Sequence, residues 1–321
     1  MATQYKVQYD LGSEYNVESP VLEGYSLDTA TVSGTITEDV TVNVYSDSSR
    51  SVASLDQTAT STSTSVKFYN LIPGRTYYYT VTLNNGTEIG RGYFNTTGRR
   101  RQLKTTNTVD EDHATNVRDL GGMVTTSGKT LKYGLVYRGS NMRKTGTAEQ
   151  TIIRDYMKVR LDVDLRRDEY GVTATKVFDE SEVAYSHVAY DGTSMTDFLN
   201  PTKVNKTFSD IISYVSQGKA VYIHCKSGAD RTGYVCMLIE AACGVSLVDC
   251  TRDYEITSFS KSGARDRCGT KNGYLIKEAL NHILSAQGST FQEKAINTLK
   301  TDGNITDAQI TALQNALIQG N

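Results

Sequence analysis

Cys225 and Arg231 stand six residues apart in the run Val221-Tyr222-Ile223-His224-Cys225-Lys226-Ser227-Gly228-Ala229-Asp230-Arg231-Thr232-Gly233. A thiolate can attack phosphorus, and a fixed fork of guanidinium donors can hold phosphoryl oxygens. The spacing alone is weak evidence. With 5 cysteines and 17 arginines in 321 residues, a Cys-x5-Arg pair arises by chance with an expectation of about 0.3. No other cysteine here has an arginine six residues on. Context adds the weight. Ala220 to Ile223 has the length and β-branched character of a buried strand, Gly228 lies in the loop, and Thr232 to Cys243 reads as a mostly apolar helix. Strand, tight loop and helix start form a phosphate-binding geometry, because loop amides and a helix N-terminus converge on one anion. The competing reading is a buried cysteine at a strand end beside an incidental surface arginine.

Each loop residue then takes an expected role. Cys225 is the nucleophile, and the loop amides, the helix N-terminus and Arg231 would all favour its thiolate. Arg231 binds the phosphoryl group with two parallel donors and stabilises its equatorial oxygens in the transition state. Lys226, Ser227, Gly228, Ala229, Thr232 and Gly233 cradle the phosphate; the Thr232 hydroxyl can also hydrogen-bond the sulfur. His224 faces away from substrate and orders the loop. The leaving oxygen needs a proton, and three aspartates compete to supply it. Asp230, beside Arg231, is favoured, since repulsion from a bound phosphate dianion would hold its carboxyl protonated. It could equally be a first-turn helix acid or a brace for the loop. Asp191, in the loop after the strand-like Tyr185 to Ala189, is the alternative on a mobile lid, and Asp197 is a weaker third.

Bulk properties narrow the partners. The formal charge is −2, so attraction for phosphate must be local and no nucleic-acid partner is implied. No run of 18 apolar residues suggests a membrane span. Met1-Ala2-Thr3-Gln4-Tyr5-Lys6 lacks the apolar core of a signal peptide. The chain therefore reads as a soluble, mature-like form. The Thr/Ser/Tyr-rich first part leans towards a secreted or periplasmic protein with its signal removed; the cytoplasm is the alternative. Cys236 and Cys243, seven apart on one helical face, suit buried core positions. Cys250 and Cys268 complete the set, and no His/Cys spacing fits zinc. Neither a metal nor a cofactor is expected.

The elements that must position this loop begin after residue 106. Leu161 to Leu165 reads as a strand, Phe208 to Val215 as a helix, and Phe291 to Leu299 and Thr306 to Ile318 as further helices, with Thr306 and Asp307 as cap signals. This alternation predicts an α/β fold over residues 107–321, with a central, mostly parallel sheet flanked by helices. Residues 1–98 hold no cysteine and no histidine, and short alternating runs such as Thr31 to Ile36 and Val40 to Tyr45 predict an all-β sandwich. Leu71-Ile72-Pro73-Gly74-Arg75-Thr76-Tyr77, entering a strand, resembles the corner of fibronectin type III domains, and the resemblance makes Tyr77 the corner tyrosine whose hydroxyl bonds back to the chain. Residues 99–106, opening on Arg99-Arg100-Arg101, read as a solvated linker; the three arginines could instead meet an anionic partner.

His224 to Gly233 resembles the signature loop of protein tyrosine phosphatases. Asn116-Val117-Arg118-Asp119-Leu120-Gly121-Gly122 and Leu135-Val136-Tyr137-Arg138-Gly139-Ser140 resemble two further motifs of a bacterial group that includes the secreted mycobacterial tyrosine phosphatase B, and Asp164-Leu165-Arg166 and Asp253-Tyr254 fit the same group. The resemblance implies that the aspartate before the signature arginine, here Asp230, is the general acid. Two departures stand out. The group's usual lysine is replaced by Ala229, with Lys226 beside the nucleophile instead. Its Arg-Ser-Asp segment is Arg138-Gly139-Ser140 here. Arg118 and Arg138 either line the pocket or form structural ion pairs.

The expected reaction is phosphomonoester hydrolysis through a phosphocysteine. A phosphotyrosyl protein is the first substrate class, and phosphoinositides or inositol polyphosphates are the alternative that Lys226 keeps open. A different class of reading makes the chain a binding module, with the first domain docking to a protein or glycan and a phosphate-capturing pseudoenzyme behind it. Intact Cys225 and Arg231 argue against that. Sulfur transfer by a rhodanese-like loop is disfavoured by Arg231 and the upstream motifs.

Overall fold

The computed structural model describes residues 39–61, 71–96, 103, 105, 112–167, 176–260, 262–266 and 274–320. They fall into two units, one within Val21–Lys104 and one within Thr105–Asn321.

In the first unit, the alternation of Val40, Val42 and Val44 with polar residues becomes strand β1 (Val40–Tyr45), its valines buried. β1 pairs with β2 (Leu55–Ser61) and β3 (Thr76–Leu83), and β4 (Glu88–Asn95) completes an antiparallel sheet in the order β2-β1-β3-β4. Val42 faces Val81, Val44 faces Tyr79, and Tyr77 faces Phe94, which gathers one apolar cluster on one side of the sheet. The Tyr77 hydroxyl accepts the Ile72 N–H at 3.0 Å. A sandwich needs a second sheet; the expected strand at 31–36 and the arginines at 99–101 lie outside the described residues.

The second unit runs β5 (Arg118–Asp119), β6 (Val136–Gly139), α1 (Thr147–Thr151), β7 (Val159–Asp164), β8 (Ala184–His187), α2 (Pro201–Val215), β9 (Ala220–His224), α3 (Asp230–Ala242), α4 (Leu247–Glu255), α5 (Tyr274–Ser285), α6 (Phe291–Gly303) and α7 (Asp307–Leu317). It is an α/β fold, a five-stranded sheet flanked by helices, in the order β5-β6-β9-β7-β8. Only the β5–β6 pair is antiparallel among these strands. β9 lies at the centre and every residue of it is buried, which is why it reads as a continuous apolar run. Along β7 and β9, Leu161, Val163, Val221 and Ile223 join the main apolar core, whereas Asp162, Asp164, Tyr222 and His224 occupy the alternate positions and so the opposite face. α2 packs on β7 and β9, α3 on β6 and β9, and α6 touches both helices. Cys236, Cys243 and Cys250 sit in this core. The Thr306 hydroxyl caps α7 by accepting the Gln309 amide, as the cap signal predicts.

Helix α3 begins at Asp230, two residues earlier than its apolar pattern implies. The Gly233 N–H donates to the Ala229 carbonyl at 2.6 Å, so the first turn includes two charged residues. An acidic residue is stabilised at a helix N-terminus, so polarity there does not mark a loop. Because β6, β9, β7 and β8 are parallel, the segments leaving their carboxyl ends gather on one side. In parallel α/β sheets ligands bind at that end.

Candidate active site

The loop Cys225–Ala229 leaves β9 and turns straight into α3. Its carbonyls are tied down one after another from outside. The Lys226 carbonyl accepts from the Asn141 amide N–H at 3.1 Å and from Asn141 Nδ2 at 3.0 Å. The Ser227 carbonyl accepts from Asn116 Nδ2 at 3.2 Å and from the Ser262 hydroxyl at 3.3 Å. The Gly228 carbonyl accepts from Arg138 Nη2 at 2.9 Å and Asn116 Nδ2 at 3.3 Å, and Arg138 Nη2 also reaches the Ala229 carbonyl at 3.3 Å. In a trans peptide the N–H and C=O point in opposite directions. Four carbonyls held outward therefore turn the amides of Ser227, Gly228, Ala229 and Asp230 the other way, which is the arrangement of an anion nest.

Gly228 is required on two counts. Its φ is +66°, and a Cβ there would lie 2.2 Å from the Gly139 carbonyl oxygen. The backbone of the loop thus rests against the end of β6. Asn116 also adopts a left-handed conformation, with φ +54°. From it, Oδ1 accepts Arg118 Nη1 at 2.7 Å while Nδ2 serves the loop carbonyls.

Behind this brace sits one buried carboxylate. Asp253 accepts Arg118 Nε at 2.7 Å on one oxygen and Arg138 Nη1 at 2.6 Å on the other. Burial alone would push its carboxyl up, but the two guanidiniums outweigh that and hold it below the usual carboxylate range. Of the two readings left open for Arg118 and Arg138, the structure gives the ion pairs. Both guanidiniums are 1% exposed and hold the back of the loop, Arg138 directly and Arg118 through Asn116.

Cys225 is buried, 3% exposed. Burial raises a thiol, yet the nearby Arg231 charge and hydrogen bonding from the Thr232 side chain and amide more than offset it, so the Cys225 thiol lies below its usual range. The Thr232 hydroxyl is fully buried beside Cys225 and has no hydrogen-bond partner of regular geometry among the described residues, so its dipole acts on the thiol by proximity. The other described thiols behave oppositely: burial pushes Cys236 and Cys243 up to about 12. Arg231 is anchored through Nη1 to the Leu165 and Tyr190 carbonyls, each at 3.2 Å, and pairs with no carboxylate among the described residues.

His224 occupies the face of the sheet opposite the main apolar core. Its Nε2 lies 2.9 Å from Asp162 Oδ1, and its Nδ1 lies 3.2 Å from the Cys225 carbonyl and 3.8 Å from Asp164 Oδ1. Asp164 in turn is held by Arg166 Nη2 at 2.7 Å and by the Tyr185 hydroxyl at 2.8 Å.

The three candidate acids separate clearly. Asp230 receives the Tyr254 hydroxyl on Oδ1 at 2.7 Å and has Arg265 Nε 3.6 Å from Oδ2. Asp191 accepts the Thr193 hydroxyl at 2.8 Å and its amide at 3.0 Å, with Arg167 at 3.4 Å; these bonds, the hydroxyl first, hold its carboxyl below the usual range. Asp197 pairs with Lys203 Nζ at 2.8 Å and accepts the Asp191 amide at 2.6 Å. Lys226 borders a recess of about 200 Å³ beside the loop, with Asp112, Asn141, Arg143 and Arg166. Among the described residues no group of three or more His, Cys, Asp or Glu side chains is placed to hold a metal. Sequence reasoning assigned no work to Asn141, Ser262 or Arg265. It noted Asn116, Asp253 and Tyr254 only as parts of motifs.

Comparison with known proteins places these features. The model of the tyrosine phosphatase family matches residues 109–318. A Cupriavidus necator protein, provisionally named a tyrosine-protein phosphatase, is 23% identical over 165 residues, covering 44% of this chain. The match spans 60% of that protein, so the chain covers less than two thirds of this curated relative. Solved structures with some likeness include the catalytic core of the S. cerevisiae PP-IP phosphatase SIW14 in complex with citrate, with 17% identity, 47% of this chain, 80% of that one and a TM-score of 0.32. PTPMT1 in complex with PI(5)P gives 15% identity, 51% and 92% coverage and a TM-score of 0.33. A Cys-to-Ser variant of P. aeruginosa TpbA in complex with phosphotyrosine gives 13% identity, 56% and 95% coverage and a TM-score of 0.35.

Proposed function

Because this chain belongs to the tyrosine phosphatase family, we propose that it hydrolyses phosphate monoesters through a phosphocysteine on Cys225, with phosphotyrosine as the first substrate class. Cys225 Sγ attacks phosphorus in line, forming the S–P bond as the bond to the leaving oxygen breaks. Asp230 gives its proton to that oxygen. Water then attacks phosphorus, the S–P bond breaks, the Asp230 carboxylate takes the water proton, and phosphate leaves with the thiolate restored. Arg231 and the turned-in amides hold the three equatorial oxygens throughout. One observation carries the reading: four consecutive loop carbonyls are tied outward around a lowered thiol beside Arg231.

What supports Asp230 over Asp191 is its place at the start of α3, beside Arg231 and within the loop that resembles the family signature; each of the two carboxyls faces one hydroxyl donor and one arginine. The motifs at 116–122 and 135–140 support placing the chain with the mycobacterial tyrosine phosphatase B group. The antiparallel sheet and the Tyr77–Ile72 bond support a fibronectin type III-like domain over residues 1–98, ahead of a catalytic domain at 107–321, with a protein or glycan as its partner.

A phosphoinositide or inositol polyphosphate remains the second reading. What favours it is the recess beside the loop, lined by Arg143, Arg166 and Lys226 with Asp112, in which Arg143 pairs with Asp112 and Arg166 with Asp164. A substrate with a second phosphate could place it there. Turnover of an aryl phosphate, a phosphotyrosyl peptide, a phosphoinositide and inositol hexakisphosphate tests both, with Cys225→Ser as control. No turnover of any of them by the wild-type protein sinks the enzyme reading. Equal losses on all substrates in Lys226→Ala would remove the polyanion reading.

A further inference from the structure

We infer that Tyr254 is a positioning residue for the proton donor: its hydroxyl fixes which oxygen of Asp230 carries the proton and holds the carboxyl for the leaving group. The inference rests on the reading of Asp230 as the acid and adds a residue outside the signature loop. Three observations converge on it. Tyr254 is fully buried on α4, and its hydroxyl donates to Asp230 Oδ1 at 2.7 Å. The first turn of α3 makes room for the ring: a Cβ at Gly233 would lie 2.9 Å from Tyr254 Cδ2. Arg265 lies 3.6 Å from the second oxygen, Oδ2.

The chemistry follows from the donor count. A protonated carboxyl has one O–H, and an oxygen that accepts from tyrosine is best left without it. With Oδ1 occupied by Tyr254, the proton belongs on Oδ2, free to be given away. When it leaves, Tyr254 and Arg265 face the carboxylate that forms, one at each oxygen, and stabilise it as the leaving group departs. Burial, then the Asp230 charge, push the Tyr254 phenol well above its usual range, so it stays a donor. Arg265 is itself fixed. Its Nη1 donates to the Ser262 carbonyl at 2.9 Å and the Ala264 carbonyl at 3.1 Å, and its own amide donates to the Ser258 hydroxyl at 2.8 Å. The adjacent residue Asp253 braces the back of the loop through Arg118 and Arg138. The dipeptide Asp253-Tyr254 thus serves both the anion site and the acid.

Leaving-group dependence provides the test. An alkyl phosphate needs protonation of its leaving oxygen; an aryl phosphate with an acidic phenol hardly does. Kinetics of the full chain are measured on both for wild type, Tyr254→Phe, Asp230→Asn and the double variant, with thermal melting as the folding check. Tyr254→Phe is expected to lower kcat on the alkyl phosphate about tenfold, as loss of a hydrogen bond to a charged group would. Aryl phosphate kcat/KM, which reports only the steps up to departure of the leaving group, should stay within about twofold and the alkyl KM should hold. In the Asp230→Asn background the Phe substitution should add nothing. Equal losses on both substrates, no loss on either, or an effect that persists without the Asp230 carboxyl would each overturn the inference. If Asp230→Asn leaves the alkyl-to-aryl ratio unchanged, the acid assignment itself has failed. A changed ratio there with an unaffected Tyr254→Phe sinks only the role of Tyr254.

Discussion

Arg138 and Asp253 meet at 2.6 Å with both side chains buried, and the same guanidinium reaches the Gly228 carbonyl at 2.9 Å. One ion pair therefore joins helix α4, strand β6 and the catalytic loop. Replacing Asp253 by Asn would leave two buried guanidiniums without their shared anion. Asp253→Asn should lower stability by about 3–5 kcal/mol, read from denaturant unfolding. If the loss is under about 1 kcal/mol, the network is not the brace described here.

Gly228 tests the loop's seat against β6. Gly228→Ala adds a Cβ against the Gly139 carbonyl and forces an L-residue into φ +66°. The left-handed conformation alone costs roughly 1–2 kcal/mol, and the clash adds to it. The expected outcome is a lowered melting temperature with turnover of aryl phosphate nearly abolished. Normal turnover would mean the loop can relax away from β6.

The lowered Cys225 thiol sets a pH dependence whose sign is definite. Depression of the folded value means that the thiolate persists to lower pH than in a free cysteine. Alkylation by iodoacetamide should therefore rise through its midpoint below about pH 8.5, the value of an unperturbed thiol. Arg231→Ala removes the largest stabilising charge, so its midpoint should move upward. A wild-type midpoint at or above that of free cysteine contradicts the account.

Arg231→Lys separates charge from geometry. The ammonium keeps the positive charge near Cys225 but loses the fork and the Nη1 anchor to the Leu165 and Tyr190 carbonyls. Turnover should fall by about 10²–10³, the range for losing a preorganised oxyanion donor. The alkylation midpoint should stay near that of the wild type. Retained turnover would demote Arg231 to a general counter-charge.

Much of this architecture is local and so is legible in the sequence. The run 220–243 encodes a buried strand, a glycine-bearing loop and an apolar helix within 24 consecutive residues, and each leaves its own pattern. The start of α3 was misplaced because Asp230 and Arg231 are polar, although an N-terminal turn accepts them. What stayed illegible is long-range. Arg118 and Asp253 are 135 positions apart, and nothing in either neighbourhood announces the other, so ion pair and pocket wall could not be told apart. The outward ties of the loop are bonds to backbone carbonyls, which every residue possesses, so no side-chain pattern marks them. The left-handed Asn116 is a similar case: the residue type permits that conformation and does not demand it.

The ties around the loop come from Asn116, from Arg138 and Asn141 together, and from Ser262, on three separate stretches of the chain. The cradle therefore works as a logical conjunction, complete only while every contributor is in place. Fraying of any one segment reopens a carbonyl and unsettles the amide behind it, long before the central sheet gives way. Catalytic competence should then behave as a coincidence detector for native structure across the whole second unit. During gentle denaturation it would be expected to disappear while most of the circular dichroism signal survives.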